Sequence, residues 1–293
     1  MRTKWWVPYA FLALPLLAYS VWVIKPIVET FIISFTNWDG ISKTFEFTGW
    51  ENFKFLFQDH AFHIALLNNV KWLLGFTAVA VPIGLALAML FNRQGVLANV
   101  CKSLIYLPMT LAFVVRAQMW SWILEPRHGV LNTFLSAIGL GALARPWLAD
   151  PTLVTYALIA VALWGQIAYA MVLFLAGMKH VPLELVEAAS VDGATAWQRF
   201  WYVILPMLRP AMVIAITISI IDSLRAFDIV YVMTRGGPFG SSNVLANYMY
   251  IQAFHNYRMG RGAAIAVIQF VITFSMISFY LRWVMREERG RGS

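Results

Sequence analysis

The side chains that could do chemistry in this sequence are few, and most stand where charge is costly. Asp222, Arg225 and Asp228 fall within the apolar stretch 210–234, and Arg116 falls within 103–124. A charge carried into a bilayer costs about 2.5–3.5 kcal/mol on insertion scales, so each marks either a solute path or a structural pair. Ser219, Asp222, Ser223 and Ala226 recur at i, i+3, i+4 and i+7, the spacing of one helix face. Asp222 can accept hydrogen bonds from hydroxyl groups, and Gln166 in the stretch 152–178 could face the same space. Against this, Asp222 with Arg225, or Arg225 with Asp228, can pair at i,i+3 and serve structure alone. Arg116 has no partner in its own stretch. That leaves a pairing across helices, or an anionic group on a solute such as a phosphate or sulfonate.

Covalent chemistry has no signature. There is no G-x-x-x-x-G-K-[ST] to cradle a nucleotide and no H-E-x-x-H. Cys101 stands alone, and His60 and His63 lack the further ligands a metal site requires. No catalytic residue and no metal site is expected.

The elements that must position these residues follow from composition. Of 293 residues, 60% are apolar or aromatic and 12% charged, about half the charge of a soluble domain. That excludes a disordered chain, a disulfide scaffold and an ordinary cytosolic enzyme. The outer surface must face lipid, and the net charge of +8 reports orientation rather than nucleic-acid binding. A bilayer core needs about 20 apolar residues in a helix. The expected fold is an all-α integral membrane protein with six transmembrane helices, a single membrane domain over 1–293. The spans fall at about 7–35, 65–91, 103–124, 152–178, 207–234 and 262–285. Lys25 and Glu29 sit i,i+4 in the first span and can neutralise each other. A cleavable leader ending near Ala18-Tyr19-Ser20 is the weaker reading of the N-terminus, because apolar character runs on past it.

Orientation comes from the basic residues. Arg2, Lys4, Arg93, Lys102, Lys179, Arg199, Arg209, Arg282, Arg286, Arg289 and Arg291 share one side, eleven in all. The opposite side holds seven: Lys43, Lys54, Arg127, Arg145, Arg235, Arg258 and Arg261. The bias places both termini in the cytoplasm.

The loop 179–206 between spans four and five carries local signals. Pro182 suits a helix start, with Glu184 and Glu187 near its N-terminus. Asp192-Gly193 ends that helix, Gly supplying a left-handed cap. Thr195 and Gln198 form a capping box for a second short helix. The residues alone allow two readings: a helix–turn–helix shaped for a partner, or an interfacial amphipathic loop.

Glu187-Ala188-Ala189, then Gly193, then Val203-Ile204-Leu205-Pro206 resembles the EAA loop of ATP-binding-cassette importer permeases. Phe47-Thr-Gly-Trp-Glu-Asn-Phe53, the run Phe227 to Pro238 that ends Arg-Gly-Gly-Pro, and Tyr250-Ile-Gln-Ala-Phe254 are similar to the maltose and glycerol-3-phosphate type. The resemblance implies the type I importer permease fold with a cytoplasmic coupling helix, in a bacterial or archaeal cytoplasmic membrane. It implies that Glu187, Ala188, Ala189, Val191, Asp192, Gly193, Leu205 and Pro206 couple the chain to a separate ATPase. Two ATP-binding subunits would hold the ATP and Mg, and this chain none. A second homologous permease would complete the pathway. A solute-binding protein would deliver sugar at the outer face, near Trp38, Asp39, Gly236, Gly237 and Pro238. Met109, Phe113, Ser219, Ser223 and Ala226 match positions that line the family's sugar site; Gln166, Asp222, Arg225 and Arg116 join them as candidate contacts. The implied activity is ATP-driven import of a carbohydrate or glycoside by alternating access. An ion-coupled secondary transporter of a small polar solute would also use buried carboxylates, but has no need of an EAA loop.

Overall fold

The structure, a computed structural model, describes residues 7–92 and 95–291. Arg2, Lys4 and Arg93, which contribute to the charge bias, lie outside the described residues. The described chain is mostly helical, and its only bridge between extended segments is Thr36 with Phe47. Four helices are long and apolar enough to cross a bilayer: α1 (Phe11–Ile33), α3 (His60–Phe91), α7 (Val154–Met178) and α13 (Met259–Arg286). Two bent pairs of helices pass the same test of length and composition together. α4 (Val96–Thr110) and α5 (Phe113–Ile123) meet at 101°, and α9 (Ala196–Met207) meets the following Arg209–Met233 segment at 70°. That segment is itself two helices, α10 (Arg209–Leu224) and α11 (Asp228–Met233). Counting each bent pair once gives six crossings. Short helices α2 (Glu51–Gln58), α6 (Val130–Ala137), α8 (Leu183–Val191) and α12 (Leu245–Tyr250) lie in the connections.

α1, α3 and α9 each contain a π-helical turn, at Ser20–Ile24, Gly75–Ala80 and Phe200–Ile204. Each turn holds the residue four before a proline: Trp22 before Pro26, Ala78 before Pro82 and Tyr202 before Pro206. A proline ring collides with the carbonyl at i−4 and cannot donate to it. Widening the turn relieves the clash without breaking the rod. The expected ion pair in α1 forms, with Lys25 Nζ 3.6 Å from Glu29 Oε1.

Contacts divide the chain into two compact units. One comprises residues up to Phe62 with Tyr248–Val271. Its loops are tied by side chains: buried Asn52 donates from Nδ2 to the Ser34 carbonyl at 2.9 Å and the Thr36 carbonyl at 2.8 Å. The Tyr248 hydroxyl donates to the Asp59 carboxylate. Burial first, and then this anionic acceptor, push the Tyr248 phenol above its ordinary pKa. No residue of the Phe11–Ile33 stretch is buried within the chain. It presents Phe11, Leu14 and Trp22 outward, as a helix does when its solvent is lipid or another subunit.

The second unit spans His63–Asn247 and the segment from Ile272. Its core is a seam between α3 and α7, where Trp72, Phe76, Leu158 and Ile159 are buried together. Farther along the same helices, Ala88, Ala170, Met171 and Phe174 close on Ala211 and Ala215 of α10. Small residues at these crossings let the helix backbones approach, the usual device where lipid removes the hydrophobic drive.

Candidate functional site

The two helix breaks of the second unit wall one cavity of about 780 Å³. The break between α4 and α5 contributes Thr110, Leu111 and Ala112, flanked by Met109 and Phe113. The break between α10 and α11 contributes Arg225, Ala226 and Phe227, flanked by Asp222 and Asp228. α7 and α3 supply Gly165, Gln166, Tyr169 and Trp72. Leu111 and Ala112 both take extended ψ values, 138° and 144°. Irregular backbone at membrane depth survives only where it borders protein or a water-filled space, since lipid cannot satisfy its polar groups.

One of a pair of adjacent buried amides holds the second break. Asn69 Nδ2 lies within 3.4 Å of the Ser223 carbonyl and 3.3 Å of the Leu224 carbonyl, groups that lose their intrahelical partners where α10 stops. Its Oδ1 accepts the Leu245 amide at 2.8 Å. Asn68 Nδ2 donates to the carbonyls of Ser241 and Asn243, at 2.7 and 2.8 Å. These two residues are absent from the sequence expectations. Their signal was present: adjacent amides within an otherwise apolar stretch have to find partners when buried.

The candidate contacts separate into two groups. Met109, Phe113, Arg116, Gln166, Asp222, Arg225 and Ala226 line the cavity. Ser219 and Ser223 are buried and do not. Ser219 Oγ takes a hydrogen bond from Gln166 Nε2 at 3.3 Å, and Ser223 Oγ donates to the Ile220 carbonyl at 2.9 Å. The i, i+3, i+4, i+7 face stops short of Ala226, because α10 ends at Leu224. For the same reason the i,i+3 ion pair of Arg225 with Asp228 does not form: the two residues stand on opposite sides of the break. Arg225 instead caps the C-terminus of α10 and Asp228 opens α11. Each sign suits its own helix end. Asp222 with Arg225 is likewise not an ion pair.

Arg116 is the exception. It is 4% exposed, its Nε is enclosed without a hydrogen-bond partner, and no carboxylate pairs with it among the described residues. Its guanidinium lies 4.4 Å from the centre of the Phe113 ring. Opposite is Gly165, where a Cβ would stand 1.7 Å from Nη1.

The loop 179–206 is built as its local signals require. α8 is followed by Gly193 at φ +82°. The Ala194 amide reaches the Ala189 carbonyl at 2.9 Å and the Gly193 amide reaches Ser190 at 3.2 Å, the two bonds of a Schellman end. Pro182 stands at the N-cap, one residue before the helix. Gln198 N donates to Thr195 Oγ1 at 3.3 Å and Thr195 N to Gln198 Oε1 at 2.8 Å, the reciprocal capping box. Arg199 donates to the Ser190 hydroxyl and so ties α9 to α8. No residue of α8 is buried. Glu187, Ala188, Val191, Asp192 and Gly193 are exposed, Ala189 is half-buried, and Leu205 and Pro206 lie in α9.

Of the segments expected at the outer face, 38–42 is a tight turn. Asp39 Oδ1 accepts the amides of Ile41 and Ser42 at 2.9 and 2.8 Å, and Oδ2 accepts the Ser42 hydroxyl at 2.6 Å. These donors, the hydroxyl first, lower the Asp39 pKa from 3.8 to about 2. Trp38 Nε1 closes the turn on the Ser42 carbonyl at 2.9 Å. The other segment, Gly236-Gly237-Pro238, is held by the Ser242 hydroxyl, which donates to the Gly237 carbonyl at 2.6 Å. It carries Phe239, 96% exposed, at its tip.

Comparison with known proteins agrees with this architecture. Residues 80–286 match the family described as binding-protein-dependent transport system inner membrane component. A probable ABC transporter permease protein of Pyrococcus horikoshii is 34% identical over 98% of this chain and 99% of its own. The alpha-glucoside transport system permease protein AglF of Rhizobium meliloti is 32% identical, over 97% of this chain and 84% of its own. The solved structure of a bacterial ABC transporter involved in import of the acidic polysaccharide alginate has a chain of the same fold. Its TM-score is 0.83 at 23% identity, with 96% of each chain covered. The chain belongs to the binding-protein-dependent inner membrane permeases. It is the membrane-embedded permease subunit of an ABC importer, and hydrolysis of ATP is the work of a separate subunit.

Proposed function

We propose that this permease carries a carbohydrate or glycoside, and that the cavity between the two helix breaks is where the solute is held during transfer. The observation that supports this best is the cavity itself. Its volume of about 780 Å³ falls within the ~300–1,000 Å³ typical of small-molecule sites. Aromatic residues Trp72, Phe113 and Tyr169 line it together with Gln166, Asp222 and Arg225, a mixture suited to the C–H faces and hydroxyl edges of a sugar ring. Relatives named as carriers of alpha-glucosides, starch degradation products and trehalose/maltose point the same way. Family membership gives no support to ion coupling.

In this reading 1–293 acts as one membrane domain of six spans in a cytoplasmic membrane, both termini inside. α8 is the coupling helix. Its exposed Glu187, Ala188, Val191, Asp192 and Gly193, with half-buried Ala189, seat in a groove of the ATP-binding subunit, and α9 with Leu205 and Pro206 carries the push into α10. A second permease faces the open side of the cavity, two ATP-binding subunits hold ATP and Mg, and a solute-binding protein docks near Trp38, Asp39 and the 236–238 turn. Binding-protein contact in the alginate system is recorded in its solved complex with a periplasmic protein. Copurification tests the whole. Tagged chain should bring down an ATPase and a second permease, and Glu187→Lys should release the ATPase while leaving the second permease bound. Recovery of the tagged chain alone would refute the reading.

A further inference from the structure

We infer that the cavity selects solutes carrying an anionic group, and that Arg116 is the side chain that reads it. The inference rests on the sugar-site reading above and narrows it to acidic carbohydrates or glycosides.

The argument begins from an unbalanced charge. Arg116 lines the cavity, is 4% exposed, and its side chain makes no hydrogen bond or ion pair among the described residues. A guanidinium removed from water and left without acceptors is unfavourable unless something else supplies them. The protein nevertheless builds a seat for it. The Phe113 ring covers it at 4.4 Å, an attraction of cation for ring face. Gly165 leaves the room that its Nη1 occupies, since any Cβ there would lie 1.7 Å away. A seat this close-fitting fixes the guanidinium plane, and no side-chain hydrogen bond among the described residues uses its donors.

The other charges of the cavity do not answer it. Asp222, Arg225 and Asp228 are exposed within the chain, and none of the carboxylates forms an ion pair with Arg116. Arg225 stands at the C-terminus of α10 and Asp228 in the first turn of α11, so each is offset by the helix end beside it. Arg116 has the reverse placement. It is the fourth residue of α5, near the positive end of that helix, and reinforces that potential. Positive potential is therefore concentrated on the wall formed by Phe113, Arg116 and Gly165. A carboxylate, sulfate or phosphate on the solute would accept two parallel hydrogen bonds from the guanidinium fork. A neutral hydroxyl can accept one and offsets no charge.

The test is equilibrium binding to the assembled transporter in nanodiscs, followed by ligand-observed NMR. The probes are methyl α-glucoside, methyl α-glucuronide and methyl α-glucoside 6-sulfate; the two anionic probes separate carboxylate from sulfate recognition. The wild type should favour at least one anionic probe over the neutral glucoside. Arg116→Gln should weaken that probe by about 10- to 100-fold, the worth of a hydrogen bond to a charged group, and leave the neutral glucoside within about twofold. Gly165→Ala should act in the same selective way by displacing the guanidinium, and Arg116→Lys should retain part of the preference. Equal loss of neutral and anionic probes in Arg116→Gln would assign the residue to structure or gating and overturn the inference. So would a wild type that prefers the neutral glucoside, with the sugar-site reading intact. Binding of none of the three would remove the sugar site and this inference together.

Discussion

Asp39 shows how much a single side chain can be read from its neighbours. Three donors hold its carboxylate, and its pKa falls from 3.8 to about 2. Because the folded value lies below the unfolded one, the turn gains stability at every pH above about 3.8 and loses it as pH falls through 2. Exchange protection of the Ile41 and Ser42 amides, corrected for intrinsic rates, should stay level from neutrality to pH 4 and decline between 4 and 2. In Asp39→Ala the decline should vanish. Asn69 makes a different prediction. Its amide satisfies two carbonyls at the α10 break and one amide of α12, so Asn69→Ala leaves several buried groups unpaired. The expected cost is about 1–3 kcal/mol, visible as a lower melting temperature of the purified assembly. The Asn68–Asn69 pair was legible only as a question. Sequence shows that two buried amides need partners, whereas the partners lie more than 150 residues away.

Elements were legible where their determinants are local. The caps of α8 and α9 follow from residues three to five apart, Thr195 with Gln198, Ser190 with Gly193 and Ala189 with Ala194, and both formed as their spacing requires. Thr195→Ala should cost about 1 kcal/mol of local helix stability. If α8 and α9 transmit the ATPase stroke, the same change should raise ATP hydrolysis per solute imported, measured in proteoliposomes with the complete transporter. The two breaks that wall the cavity were not legible. Leu111-Ala112 and Arg225-Ala226-Phe227 contain neither glycine nor proline, and Leu, Ala and Arg are good helix formers. Local propensity favours continuing both helices. At the second break the stabilising contact is long-range: Asn69 takes the freed carbonyls. The π turns lie between these cases, since each proline announces a disturbance at i−4 but not whether the helix will bulge or bend.

At the scale of the whole molecule, the outward-facing apolar surface is too extensive for water. Phe11, Trp22, Val96, Phe274 and Phe279 are all at least 64% exposed, and a bilayer or a neighbouring subunit must cover them. Orientation can be checked with the single cysteine. Cys101 is half-buried in the chain and is expected on the cytoplasmic side. A membrane-impermeant maleimide should label it only after cells are permeabilised. In a Cys101→Ser background, Asp39→Cys should react in intact spheroplasts. The opposite pattern would invert the topology drawn from the basic residues.

Sequence by itself determined the apolar, all-helical class, the long apolar helices and the capped loop 179–206. Those depend on composition, on apolar length and on contacts within one helical turn, all of which a linear string contains. Only the tertiary structure decided where the helices stop, and so which polar residues share a cavity. It moved Ser219 and Ser223 into the packing, divided Arg225 from Asp228, and left Arg116 between Phe113 and Gly165 with no ion pair among the described residues. The physical reason is that a buried charge is defined by what surrounds it in space. For Arg116 that surrounding includes a glycine on a different helix, 49 residues farther along the chain.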